Sequence, residues 1–233
     1  MNIGATGNGG TPPIPMLDIS QNILLETIYI YAFTSLADII FPQTATLRTI
    51  QIIGTNEDIF DFTNHSGLEE LLLNQNRQTT NITLPSIKNV LKKLDIRNQT
   101  VSSVDLTGFI ALEDINLGGT GVQTLLLPTS TVLKRLTISG HQLPSVFSFA
   151  SEPNLEVLHV TDNQLATPFE VDITSNTLLD DLDLSNNKMV NLNMTQNTLL
   201  TEVDVSNNDL VTFDSSQNTV LEDLNADHNN ITN

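Results

Sequence analysis

The sequence predicts a β-rich solenoid of about ten turns, with a parallel sheet on one face and extended or loop segments on the convex side. Three observations predict it. A signature L-x-x-L-x-L-x-x-N recurs, and its first position falls at Leu25, Leu47, Leu68, Leu91, Leu112, Leu133, Leu155, Leu179, Leu200 and Leu221. Those positions are separated by 22, 21, 23, 21, 21, 22, 24, 21 and 21 residues, a period too steady for chance. Finally, Pro42, Pro85, Pro128, Pro144 and Pro168 all fall in the second halves of the turns, which argues against convex helices.

Within each signature the L-x-L portion reads as a strand. Residues i and i+2 share a face, so Leu182 and Leu184 point inward while Asp183 and Ser185 point out. One turn cannot bury its leucines alone, and stacking makes the core continuous. The second half of the turn echoes the first, as in Met189, Leu192, Met194 and Asn197, or Val101, Val104 and Leu106. After each strand comes a column that reads Phe33, Thr55, Asn76, Gln99, Thr120, His141, Asn163, Asn187, Asn208, Asn229. Buried amides in such a column are expected to satisfy backbone groups at the bend.

The signature resembles that of the leucine-rich repeat family over roughly residues 22 to 233, and the nested second halves resemble its short 21-residue bacterial class. Leu84-Pro85 and Leu127-Pro128 are similar to surface-antigen-type bacterial repeats. The resemblance implies a rigid module that recognises a protein or glycan on the solvent face of its strands. It also implies no catalytic site.

Residues 1–21 lack the period. They hold Gly9-Gly10 and Pro12-Pro13-Ile14-Pro15 and read as an N-terminal arm that docks onto another subunit of a larger assembly or folds back as a cap. The opening residues have neither a basic region nor an apolar one, so no secretory signal is expected. Proteins resembling this family on bacterial surfaces usually carry one. The expected locations are therefore a virion or an extracellular surface, with a cytoplasmic one as the alternative.

Composition narrows the partners. Twenty-seven acidic against nine basic residues give a net charge of −18, which disfavours nucleic acid and anionic membranes. There is no cysteine, hence no disulfide framework, thiolate zinc site or thiol nucleophile. No apolar stretch is long enough for a membrane span. The four histidines lie in different turns and match no catalytic spacing.

Three zones appear along the exposed face. Tyr29, Tyr31, Ile53 and Leu72 form an aromatic and aliphatic cluster in the first turns, suited to protein or sugar surfaces unless the arm covers it. Seven of the nine bases lie between Arg77 and Arg135 and read as a solvated face. From residue 152 onward there are 15 acids and one base, Lys188. There His159, Asp181, Asp183, Glu202, Asp204, Asp223 and Asp227 line the outward strand positions. Like charges so arranged call for solvent, a cationic partner or a cation, and calcium prefers this ligand type. No other cofactor is expected. The alternatives to recognition are a structural subunit of the same assembly and an intracellular protein-binding protein.

Overall fold

The computed structural model describes residues 2–4, 15–31, 35–76, 78–140, 146–163 and 170–232. In chain order the strands are β1 (Asn2–Gly4), β2 (Met16–Asp18), β3 (Thr27–Tyr31), β4 (Asp38–Ile40), β5 (Thr49–Ile53), β6 (Ile59–Asp61), β7 (Glu70–Asn74), β8 (Asn81–Thr83), β9 (Lys93–Asp95) and β10 (Ser103–Asp105). They continue as β11 (Asp114–Asn116), β12 (Thr124–Leu126), β13 (Arg135–Ser139), β14 (Val146–Ser148), β15 (Val157–Thr161), β16 (Glu170–Asp172), β17 (Asp181–Asp183), β18 (Glu202–Asp204) and β19 (Asp223–Asn225). No described residue is helical.

The chain is a parallel β-solenoid. One eleven-stranded sheet, β1-β3-β5-β7-β9-β11-β13-β15-β17-β18-β19, forms the concave face. The convex strands pair only in twos, β2-β4, β6-β8, β10-β12 and β14-β16, leaving seams between the pairs. Both sides are extended chain, as the prolines require; Pro42, Pro85 and Pro128 are buried in convex segments. Pro144 and Pro168 lie outside the described residues.

The repeat's register explains the core. Ile30 aligns with Ile52 and Ile52 with Leu73, so equivalent side chains stack turn upon turn. Leu47, Leu68, Leu91, Leu112, Leu133, Leu155, Leu179 and Leu200 form a second column, each no more than 1% exposed. The convex half adds Phe60, Phe62, Phe109 and Phe149, all buried.

At five of the bends the column after the strand supplies a donor to the turn before. The side-chain amides of Asn76, Gln99, Asn187, Asn208 and Asn229 donate to the carbonyls of Ile52, Leu73, Val160, Leu184 and Val205 in the preceding turn, at 2.7–3.0 Å. Gln99 therefore serves as Asn does, with a longer arm. Phe33 and His141 of this column lie outside the described residues.

A second amide column runs along the convex bends. Nδ2 of Asn176, Asn197 and Asn218 donates to the carbonyls of Glu152, Asn176 and Asn197 at 2.7–2.8 Å. Just before it, Asp61, Asp105, Asp172 and Asn193 each cap an amide two residues on, those of Thr63, Thr107, Thr174 and Thr195. Hydrogen bonds from the hydroxyls and then the amides of Thr63, Thr107 and Thr174 hold the carboxyls of Asp61, Asp105 and Asp172 below the usual carboxylate range.

Residues 1–21 were expected to form an arm, and parts of that segment are paired into the solenoid. Asn2 aligns with Tyr29 and Gly4 with Tyr31 at the end of the concave sheet, while Met16 aligns with Asp38 on the convex side. Residues 5–14 lie outside the described residues.

Candidate functional site

The concave sheet places the outward residues of successive strands side by side. Register sets Val157, Asp181, Glu202 and Asp223 in one row and His159, Asp183, Asp204 and Asn225 in the next. Together β15, β17, β18 and β19 form an open groove of about 370 Å³, whose lining includes His159, Asp181, Asp183, Glu202, Asp204 and Asp223. Asn225 also lines it and was not singled out by the sequence, because a neutral amide gave no signal among so many. Asp227 is exposed and lies outside this lining.

The acids differ in how they are held. His159 Nε2 lies 3.0 Å from Asp181 Oδ2, across the strand pair. Asp183 Oδ1 accepts the Ser185 amide at 2.9 Å, and Asp204 Oδ1 accepts that of Ser206 at 2.8 Å. Asp204 Oδ2 also takes the Asn225 amide at 3.0 Å. Asp183 and Asp204 therefore spend one oxygen capping their own bends. Glu202 and Asp223 are exposed.

Toward the N-terminus the same rows carry alternating charge. Before the strands the order is Arg48, Glu69, Lys92, Glu113, Lys134, Glu156. Glu69 bridges Arg48 and Lys92 at 2.5 and 2.7 Å, and Lys134 reaches Glu156 at 3.2 Å. Hydrogen bonds from Lys92 and Arg48 hold the Glu69 carboxyl below its usual range. At the strand starts Glu70, Lys93, Asp114 and Arg135 alternate in register, with Lys93 at 3.2 Å from Asp114. Past Val157 the alternation stops: the strand starts become Asp181, Glu202 and Asp223.

The basic stretch is largely neutralised within the chain. Lys92, Lys93, Arg97 and Lys134 each pair with an acid, and Lys88 donates to the Thr107 carbonyl at 2.7 Å. Arg77 lies outside the described residues. Arg97 holds Asp95 at 2.8 Å, although burial pushes that carboxyl upward.

Tyr29, Tyr31, Ile53 and Leu72 gather at the other end of the sheet, apart from the acidic groove. The tyrosine ring planes lie within 8° of each other at 6.3 Å between centroids. Ile53 aligns with Tyr31, and Leu72 stands two strands from Tyr29 through Gln51. All four are half-buried, and β1 runs along their outer flank. Among the described residues no three His, Cys, Asp or Glu side chains converge to hold a metal ion.

No protein-family model and no curated protein matches the chain. Among solved structures it is similar to the functional domain of InlJ from Listeria monocytogenes, at 19% identity and a TM-score of 0.66. That alignment covers 94% of this chain and 57% of InlJ's domain, so the chain spans little more than half the relative's length. A leucine-rich repeat protein of Leptospira interrogans is 18% identical over 94% of this chain and 62% of its own, with a TM-score of 0.49. The fold is that of the leucine-rich repeat proteins.

Proposed function

We propose that the chain is a non-enzymatic recognition module that binds a protein partner on its concave sheet, with a cationic segment of that partner seated over β15 to β19. The observation that carries this reading is the break in charge alternation. In the first two thirds of the sheet Glu70 and Asp114 at the strand starts each have an in-register base beside them, and Asp95 is paired with Arg97 two residues on. In the groove Asp181, Glu202 and Asp223 stand in one row without one. Adjacent like charges on paired strands are mutually unfavourable, so a partner's lysines or arginines would relieve them and gain steering at long range.

The parallel tyrosines favour a second contact near β3, where an apolar side chain or a sugar ring fits their faces. Attachment to a larger assembly, in a virion or on an extracellular surface, belongs to the same reading. It would use β1, the strand at the end of the sheet, whose outer side pairs with no other strand among the described residues.

The test is fluorescence anisotropy with an extended peptide of alternating lysine and glycine, using the intact chain. Affinity should fall at least tenfold when Asp181, Glu202 and Asp223 become Asn, Gln and Asn, and should weaken steeply with salt. Equal affinity of the triple variant would refute the groove. For attachment, deleting residues 1–20 should abolish incorporation into the native particle.

A further inference from the structure

A second polar site lies on the opposite face, in the seam between β12 and β14. These strands do not pair, and a cavity of about 300 Å³ opens there, at the lower end of the size range of ligand pockets. Among the residues that line it, Leu125 and Leu127 are apolar, Thr107, Thr129 and Ser151 carry hydroxyls, and Glu152 carries a carboxyl.

Glu152 is the unusual member. It is 2% exposed. It occupies the convex column that Asn176, Asn197 and Asn218 fill in later turns, where Nδ2 donates to a carbonyl of the turn before. A carboxylate has no hydrogen to donate, so an ionised Glu152 cannot make that bond. Burial pushes its carboxyl up to about 7, and among the described residues no charged group acts on it. The other lining residues are Thr, Ser and Leu, none of them titratable near neutral pH. A buried carboxyl with no counter-ion among the described residues, at a cavity with an alkyl wall and a hydroxyl rim, is complementary to one kind of group.

We propose that this seam is a binding site for a primary alkylammonium group, its nitrogen paired with Glu152 and hydrogen-bonded by the threonine and serine hydroxyls, its carbons against Leu125 and Leu127. One carboxylate suits a single positive charge rather than a divalent ion. The leucines suit a chain of methylenes rather than a bare cation. The group could be a free amine or a lysine side chain.

The experiment titrates n-butylammonium chloride into the full chain at pH 8, read by NMR shifts of the leucine methyls and by calorimetry. Saturable binding is expected. It should weaken at least tenfold in Glu152→Gln and be blocked in Ser151→Leu, which fills the rim and leaves the acid in place. n-Butanol, with the same carbons and no charge, should not bind. Affinity should fall from pH 8 to pH 6 as Glu152 takes up a proton. A blocked lysine, N-acetyl-lysine methylamide, separates the two sources: binding of both probes admits a partner's side chain, and binding of butylammonium alone indicates a free amine. Melting curves verify that the variants fold, and if Glu152→Gln does not, Ser151→Leu decides. Absence of saturable binding, or unchanged binding in a folded Glu152→Gln or Ser151→Leu chain, overturns the site.

Discussion

Asn208 Nδ2 donates to the carbonyl oxygen of Leu184, 24 residues earlier, at 2.9 Å. The same nitrogen also reaches the Val205 carbonyl, while Oδ1 accepts the Met189 amide at 3.0 Å. One buried amide thus joins two turns whose strands would otherwise leave polar groups unmet inside the core.

Asn208→Ala is therefore expected to cost about 2–3 kcal/mol, because buried carbonyls and an amide lose partners together. The check is the urea midpoint. Each turn of a solenoid is stabilised mainly by its neighbours, so amide exchange should rise first in the turns C-terminal to the substitution. A variant that unfolds at the wild-type midpoint would mean that water replaces the amide without loss.

The inward columns and the Asn column were legible in the sequence because each position demands one chemistry at a fixed period. The residue just before the Asn column was not. Its backbone is left-handed at Gly54, Gln75, Asn98, Gly119, Gly140, Asp162, Asn186, Asn207 and His228, with φ between 55° and 74°. Five residue types meet that one backbone demand, so no consensus letter marks it. The pairing of Asn2–Gly4 was hidden for another reason. Ile3 aligns with Ile30 across a longer interval than the repeat's own, so period-matching passes it by. At the site, the row of acids could be read, but the capping of Ser185 and Ser206 by Asp183 and Asp204 depends on side-chain rotamers that spacing does not encode.

Two buried glutamates contribute to the pH dependence of stability in one direction, while His65, whose imidazole burial holds below its ordinary value, contributes in the other. Burial, reinforced by Asp38, pushes the Glu57 carboxyl up to about 7, and burial pushes Glu152 equally far. Both folded values lie above the ordinary glutamate value of 4.5, so the folded chain holds these protons more tightly than the unfolded chain does. Their contribution to stability should fall as pH rises from about 4.5 to 7, then level off, by about 3 kcal/mol for each group. Glu57→Gln should remove its share, raising the melting temperature at pH 8 and leaving it nearly unchanged at pH 4. A parallel pH profile for the variant would count against the assignment.

Gly67 lies closely against the backbone of the turn before. A Cβ added there falls onto the Ala45 carbonyl oxygen, a backbone atom that cannot rotate away. Gly67→Ala is expected to cost about 1–3 kcal/mol, the range for forced overpacking. Gly121 serves as the contrast: its φ is +70°, but a Cβ would meet nothing within 4 Å. Gly121→Ala should cost only the left-handed backbone penalty, about 1 kcal/mol. Denaturation midpoints of the two variants measure the difference, and equal losses would remove the steric argument.

Glu202 tests whether the groove's charge is kept for a partner at the expense of the fold. It aligns with Asp181 on one side and Asp223 on the other, three acids in a row. A lysine at this position would continue the alternation that Glu70, Lys93, Asp114 and Arg135 begin. It would replace two repulsive cross-strand neighbours by two attractive ones. Glu202→Lys is therefore expected to stabilise the chain by up to about 1 kcal/mol at low ionic strength, the scale of exposed cross-strand pairs. The gain should disappear near 1 M salt, where the screening length is roughly 3 Å. The same substitution should weaken binding of the lysine–glycine peptide at least tenfold. Higher stability with lost binding would mean that the row is arranged for its partner and that the free fold bears the cost. A variant no more stable than the wild type, yet still unable to bind, would mean that solvent already screens the three acids and that complementarity alone selects the ligand.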